Sequence, residues 1–199
     1  MDPILPWLFG SAVLVLLFGK SKPASEYPRV MTDEQRTALI TQLANEYQIE
    51  PAVALAVFDV ESGSKGFKND RLIIRFEPHI FKKRTGQQVS LPRTGQDSEY
   101  AMLEQARAID DTQGLRAISM GASQIMGFNH KIIGYPTVQD MYADFQRGEA
   151  MHIEGFFRFV AANKKLLQAA RDKDFATFAY YYNGPKGVGV YDPKMIKRY

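Results

Sequence analysis

One acidic residue, Glu61, lies in a helical pattern of apolar residues. Ala54, Val57 and Phe58 precede it at the spacing of three and four residues that defines one face of an α-helix. A carboxyl group on such a face loses hydration, which disfavours its charged form and raises its pKa. A general acid that stays protonated near neutral pH needs this setting. The spacing leaves open the alternative that Glu61 only caps a loop or pairs with an arginine.

Two further segments carry polar groups beside small or aromatic residues. Residues 180–185 read Tyr-Tyr-Tyr-Asn-Gly-Pro, which predicts a helix that ends in Tyr182 and Asn183 and is broken at Gly-Pro. Such a helix end offers hydrogen-bonding groups and flat apolar faces, and sugars bind to both. The alternative is that these tyrosines are half-buried and serve only in packing. Residues 119–129 are rich in small side chains that allow close backbone approach, and they include Gln124 and Asn129.

Composition and motifs exclude several other chemistries. The chain has no cysteine, so disulfides and thiolate metal sites are ruled out. The three histidines, at positions 79, 130 and 152, lack metal-ligand spacing, and we expect no metal and no cofactor. No nucleophile-elbow serine and no phosphate-binding glycine loop is present.

The charge is unevenly distributed along the chain. Between Lys164 and Tyr199 there are eight Lys or Arg against three Asp, a local net charge of +5. Such a basic end favours an anionic polymer, either nucleic acid or the bacterial cell wall, unless it is only a solvated surface. Aromatic residues interleaved with arginine for base stacking are not evident, so we expect no nucleic-acid partner.

The body of the chain, from about residue 32, is predicted to be mainly α with a minor β element. Thr32 and Gln35 form a capping-box pattern that opens a helix to about Tyr47, and Pro51 opens a second helix that Gly63 ends. The run 72–76 is β-prone. Residues 82–97 are predicted as a surface loop. Helices are further predicted at 98–110, 113–119, 122–132, 137–147, 149–162 and 174–182.

The N-terminus differs from the body, because residues 3–19 are 17 residues without a charge. This length is at the short limit for a membrane-spanning helix. We predict a hydrophobic helix at 1–19 that inserts into a membrane or docks on a virion protein, in preference to a cleaved signal. Residues 20–31, which contain proline and serine, are predicted as a linker to a domain at 32–199.

Together, these segments resemble the N-acetylmuramidase family of phage lysins, which is itself similar to goose-type lysozymes and lytic transglycosylases. The resemblance covers about residues 48–199. It rests on four motifs in order: Val60-Glu61-Ser62-Gly63, Arg75-Phe76-Glu77-Pro78-His79-Ile80-Phe81, residues 121–130, and Tyr182-Asn183-Gly184-Pro185. The chain departs from the family pattern at Met120 and at Ala122-Ser123, where bulkier residues are usual.

The resemblance implies a lysozyme-like α+β fold and cleavage of the β-1,4 bond between N-acetylmuramic acid and N-acetylglucosamine in peptidoglycan strands. It implies that Glu61 is the catalytic acid and that Glu77 matches a second acidic position. The expected sugar-binding residues are Gln124, Asn129, Tyr182 and Asn183.

Three alternatives stay open at this stage. Asp110 and Asp111 are further candidates for the second carboxylate. The activity could be that of a lytic transglycosylase, or the chain could be a non-catalytic, wall-binding virion protein. The place of action is expected to be the phage virion or the host periplasm and cell envelope.

Overall fold

Helices account for most of residues 26–62 and 65–199, the part of the chain that the computed structural model describes. The helices are α1 (Asp33–Glu46), α2 (Pro51–Ser62), α3 (Pro78–Thr85), α4 (Gln96–Ile109), α5 (Asp111–Arg116), α6 (Val138–Phe145), α7 (Glu149–Ala162), α8 (Lys164–Arg171), α9 (Phe175–Asn183) and α10 (Asp192–Arg198). The strands are β1 (Phe67–Lys68), β2 (Arg71–Leu72), β3 (Ile74–Phe76), β4 (Ile118–Met120) and β5 (Ile125–Met126). Short 3₁₀ helices follow β5 at Gly127–Asn129 and α9 at Pro185–Gly187. The predicted mainly helical α+β class is confirmed.

The first two helices begin where the sequence predicts them. The Thr32 hydroxyl accepts a hydrogen bond of 3.2 Å from the Gln35 backbone N–H, and the Gln35 side chain accepts one of 3.0 Å from the Thr32 N–H. This reciprocal capping box satisfies two of the free donors at the start of α1. Pro51 occupies the first position of α2, and Val57 and Phe58 on that helix are buried. Glu61 follows on the same helix, in its last turn.

Two small antiparallel sheets contain all five strands. β1 pairs with β2, and β4 lies between β3 and β5, so that Ile74 is opposite Met120 and Ser119 is opposite Met126. The β-prone run 72–76 is therefore extended, as predicted, but it is shared between the two sheets. The helices predicted at 113–119 and 122–132 are wrong where they cover β4 and β5.

The reason for that error is that the pairing is non-local. Gly121 and Gln124 have φ angles of 75° and 47°, which turn the chain between β4 and β5. The backbone donors and acceptors of β4 then bond to β3, more than forty positions earlier in the sequence, instead of closing a helical turn.

The loop predicted at 82–97 is shorter than expected. Pro78 opens α3, which continues to Thr85, and Gly86 ends it in the left-handed region at φ 75°. Helix α4 then begins at Gln96. Helices α8 and α10 were not predicted; α8 is capped by Asn163, whose side chain accepts from the backbone N–H groups of Lys165 and Leu166.

Helix α7 contributes to both clusters of buried side chains. One cluster joins α1, α2, α8, α9 and α10, and it contains Ile153, Phe156 and Phe157 of α7. The other joins the sheets with α3 to α6, and it contains Met151. Glu61 lies on the helix that faces the first cluster, whereas Glu77 follows a strand of the second. Helix α7 is thus the element that relates these two parts of the molecule.

The last residues of the predicted linker pack against the folded body. Met31 is buried, and its N–H donates to the Glu149 carboxylate at 3.0 Å, while the Glu149 N–H donates to the Arg29 carbonyl at 3.0 Å. The hydrophobic helix predicted at 1–19 and the linker residues 20–25 lie outside the described residues. No helix in the part of the chain that is described is both long and apolar enough to cross a membrane.

Candidate functional site

The ends of α2 and α9 meet at a hydrogen bond between Glu61 and Asn183. Asn183 Nδ2 donates to Glu61 Oε1 at 2.8 Å. Glu61 is in the last turn of α2 and Asn183 is the final residue of α9, so two helix ends fix the two side chains. Both side chains are partly buried. The structure therefore brings together two residues that the sequence placed in separate motifs.

The Glu61 carboxyl group is held in a setting that favours its neutral form. Burial raises its pKa to about 7, against the opposing effects of the Asn183 hydrogen bond and of the positive charge of Lys194. Its position in the last turn of α2, at the negative end of the helix dipole, also disfavours negative charge. Among the described residues, Oε1 carries the bond from Asn183 and Oε2 has no hydrogen-bond partner. Because Oε1 accepts the bond from Asn183, Oε2 is the oxygen that can carry a proton and transfer it.

Tyr182 lies beside Glu61, but its ring packs against aromatic residues of the core. The ring stacks on Phe178 at 5.6 Å between centroids and meets the Phe159 ring edge-on at 5.5 Å. Burial, together with the nearby Glu61 charge, raises the pKa of the Tyr182 hydroxyl. That hydroxyl donates to the Ser123 carbonyl at 3.3 Å. These contacts suit Tyr182 to connecting α9 with the β4–β5 turn better than to stacking on a sugar.

Gln124 is at the tip of this turn and holds its shape. Its Oε1 accepts from the Ser119 hydroxyl at 2.8 Å, and its Nε2 donates to the Gly121 carbonyl at 2.8 Å. The residue also has a positive φ of 47°, which non-glycine residues seldom adopt. Both ends of the amide are therefore engaged within the turn, next to the carbonyl that Tyr182 reaches.

His152 stabilises the β4–β5 turn through hydrogen bonds, a role that the sequence did not reveal. Its Nδ1 accepts from the Ala122 N–H at 3.2 Å, and its Nε2 donates to the Phe145 carbonyl at 2.7 Å. Burial lowers the pKa of His152 to about 4, which keeps the ring neutral, as this pair of bonds requires. A Cβ on Gly121 would lie 2.7 Å from the ring, so this position needs a glycine. In the sequence, the one feature that pointed to this role was a histidine among the apolar residues of α7.

Lys194 is a second residue that the sequence did not single out. It lies on α10, which packs against α2, and its charge acts on Glu61. Its Nζ is 5.2 Å from the centre of the Tyr191 ring. Only the basic character of the C-terminal segment pointed to this region.

Glu77 forms its contacts with residues close to it in sequence. Its Oε1 is 3.0 Å from Arg75 Nε, and its Oε2 is 3.6 Å from His79 Nδ1. It also occupies the N-cap position of α3, without a side-chain capping bond. No direct contact between Glu77 and Glu61 occurs among the described residues. Glu77 is thus held by an ion pair with Arg75, a contact that could serve the structure of this loop without any part in catalysis.

The remaining candidates form contacts with residues close to them in sequence, through the backbone at Asn129 and through the side chains at Asp110 and Asp111. The Asn129 carbonyl accepts from the N–H groups of Ile132 and Ile133 within a turn. Asp110 caps α5, and Asp111 pairs with Arg107 at 2.6 Å, so both are used in holding helices. Within residues 26–62 and 65–199 there is no grouping of three or more acidic, histidine or cysteine side chains that could hold a metal ion.

Comparison with known proteins places these features in a family. The model of the N-acetylmuramidase family matches residues 50–199. The crystal structure of the Burkholderia AP3 phage endolysin is similar, with a TM-score of 0.77 and 36% sequence identity over 86% of this chain and 70% of that one. No curated protein matches the chain. The lysozyme-like fold predicted from the sequence is confirmed by this likeness.

Proposed function

Because the chain belongs to the N-acetylmuramidase family, we propose that it hydrolyses the β-1,4 bond between N-acetylmuramic acid and N-acetylglucosamine in peptidoglycan. The family and the endolysin neighbour support the broader statement that it is a peptidoglycan-cleaving hydrolase of the phage-lysin type. The observation that carries the proposal is the Glu61 carboxyl group, with a pKa of about 7 and one oxygen fixed by Asn183.

In the proposed reaction, Glu61 acts as the general acid. The proton on Oε2 passes to the glycosidic oxygen as the bond from that oxygen to C1 of N-acetylmuramic acid breaks, and positive charge develops on the sugar ring. The freed N-acetylglucosamine end leaves with its new hydroxyl group. Water then adds to C1, and its proton returns to the Glu61 carboxylate. Asn183 keeps the carboxyl group in one orientation through this cycle.

Glu77 stays our candidate for the second carboxylate, which would orient water or stabilise charge. Its ion pair with Arg75 weakens the case for this role, because one of its oxygens already has a partner at 3.0 Å. That observation favours a second candidate function, lytic transglycosylation, which needs no water-activating carboxylate. There Glu61 again protonates the leaving glycosidic oxygen, and its carboxylate then takes the proton of the 6-hydroxyl group of N-acetylmuramic acid as that oxygen attacks C1 and forms a 1,6-anhydro ring.

Mass spectrometry of the products separates the two reactions. Purified peptidoglycan is digested in water enriched in ¹⁸O, and the new muramic acid ends are analysed. Hydrolysis incorporates one ¹⁸O atom at each new end, which is the result we expect. Ends that are lighter by one water and carry no label would establish transglycosylation instead. New reducing ends on N-acetylglucosamine, instead of on N-acetylmuramic acid, would contradict the bond that we propose.

The proposed place of action is the host cell wall. The AP3 protein is an endolysin, and its 36% identity with this chain supports the assignment. Contact with a membrane or a virion protein through residues 3–19 concerns a segment outside the described residues, and it stays a prediction from sequence.

A further inference from the structure

A groove with basic walls lies between α2 and α10, immediately before Glu61 along α2. It is lined by Asp59, Val60, Lys194, Lys197 and Arg198. Helix α10 is anchored there by the buried Met195, so the outward-facing side chains of this helix have a fixed position relative to α2. The groove and the candidate acid therefore share one wall.

The groove contains more positive charge than its own residues neutralise. Arg198 Nε and Nη2 lie 2.7 and 2.6 Å from Asp59 Oδ2, so that these two charges form a pair. Within the described part of the chain, neither Lys194 nor Lys197 forms an ion pair. Both lysines are exposed. Two cations thus remain available to a ligand beside the site of bond cleavage.

We propose that this groove binds the free carboxylates of the peptide stem attached to the N-acetylmuramic acid residue at the cleaved bond. This inference rests on the proposed function. The sugar rings of the glycan are neutral and cannot form ion pairs with the two unpaired lysines. The stem carries several carboxylates, which can. Because the stem is joined to the same sugar whose C1 is attacked, it must leave the site close to Glu61. A groove lined by Asp59 and Val60, the two residues before Glu61, lies within reach of the stem.

Because Lys194 acts on Glu61, a stem bound to Lys194 should change the pKa of the acid. The Lys194 charge lowers the pKa of Glu61. A stem carboxylate that pairs with Lys194 would offset this charge and favour the protonated form of Glu61. Peptide-bearing substrate should therefore extend activity to higher pH than the same glycan with neutral stems.

The test compares soluble glycan oligomers with free stem carboxylates against the same oligomers after carbodiimide-mediated amidation, which keeps the stem and removes its charge. For the wild-type protein we expect kcat/KM to be about three- to five-fold higher on the charged oligomers, as exposed ion pairs allow. In Lys197→Gln this ratio should fall by at least about two-fold. The matched control is Lys83→Gln, which removes an exposed lysine from α3 and should keep the wild-type ratio.

Each other outcome has a definite meaning. If the wild-type protein cleaves both substrates equally well, the stem-binding groove is wrong and the proposed function stands. If Lys83→Gln lowers the ratio as much as Lys197→Gln does, the preference comes from overall charge, and the groove is again wrong. If neither substrate is cleaved, the proposed function fails and the inference fails with it. Circular dichroism of both variants verifies that each is folded.

Discussion

Asn183 and Glu61 are 122 positions apart in the sequence, and their side chains are joined by a hydrogen bond of 2.8 Å. The bond leaves Oε2 of the glutamate without a partner among the described residues, and burial keeps the carboxyl group close to half-protonated at neutral pH. One residue thus orients the acid while burial raises its pKa. The predictions below test this arrangement and the elements around it.

Replacing Glu61 by Gln should abolish most of the activity. Glutamine keeps the shape and can still accept the bond from Asn183, but it has no proton to transfer. General acid catalysis contributes on the order of 10²–10⁴ in rate, so we expect kcat to fall by at least about 100-fold. Release of reducing ends from purified peptidoglycan measures this, with circular dichroism to verify the fold. Activity near the wild-type level would remove Glu61 from the mechanism.

The same substitution should stabilise the protein at alkaline pH. The folded-state pKa of Glu61, about 7, lies above its ordinary value of 4.5. The stability linked to this group is therefore complete below about pH 4.5 and is lost as pH rises through 7. Glu61→Gln avoids the loss and should raise the free energy of unfolding by about 2–3 kcal/mol at pH 8 relative to wild type.

Urea unfolding at several pH values measures this difference, which should shrink as pH falls from 8 to 4.5. Asp172→Asn, which removes an exposed carboxylate at the end of α8, is the matched control for the loss of one negative charge and is measured at the same pH values. A difference between Glu61→Gln and wild type that does not change with pH would contradict the raised pKa.

Replacing Lys194 by Gln should move the pH dependence of catalysis. The Lys194 charge lowers the pKa of Glu61, so its removal raises that pKa and keeps the acid protonated to higher pH. We expect the alkaline limb of kcat/KM to shift upward by a fraction of a pH unit on amidated oligomers, whose neutral stems remove any effect of stem binding. An alkaline limb that is unchanged or moves downward would show that Lys194 does not act on the acid.

Two substitutions can distinguish a catalytic role of Glu77 from its structural role in the ion pair with Arg75. Glu77→Gln removes a carboxylate that could take part in catalysis and also the contact with Arg75, whereas Arg75→Gln removes only the contact. Arg75 is mostly exposed, so either change should cost about 1 kcal/mol of stability or less. If Glu77 is the second carboxylate, Glu77→Gln should lower kcat at least about ten-fold and Arg75→Gln should not. Equal and small effects would make Glu77 a structural residue.

The N-terminal segment should be dispensable for catalysis. Residues 1–25 contain the uncharged run, whereas Met31 and the Arg29 carbonyl are bonded to Glu149. A chain beginning at Glu26 should therefore be soluble, folded and as active as the full chain on purified peptidoglycan. A chain beginning at Asp33 should unfold at lower temperature, because buried Glu149 then loses the Met31 N–H. Loss of activity in the longer of these two chains would make residues 1–25 part of the catalytic domain.

Local sequence determined the parts of this protein that depend on neighbouring residues. The Thr32 capping box and the proline at position 51 fix the starts of α1 and α2, because their effects act within one turn of a helix. The periodicity that places Glu61 with Val57 and Phe58 is equally local. The candidate acid could therefore be recognised without a structure.

Tertiary structure decided everything that depends on distant partners. β4 and β5 resemble helices in sequence, and they are strands because β3 offers them backbone partners and Gly121 and Gln124 turn the chain. The direction of the Tyr182 ring, which faces the core, follows from packing against Phe159 and Phe178. The pKa of Glu61 depends on how deeply packing buries it and on the charge of Lys194, which is 133 positions away. Burial and charge act through space, so only the folded chain fixes their values.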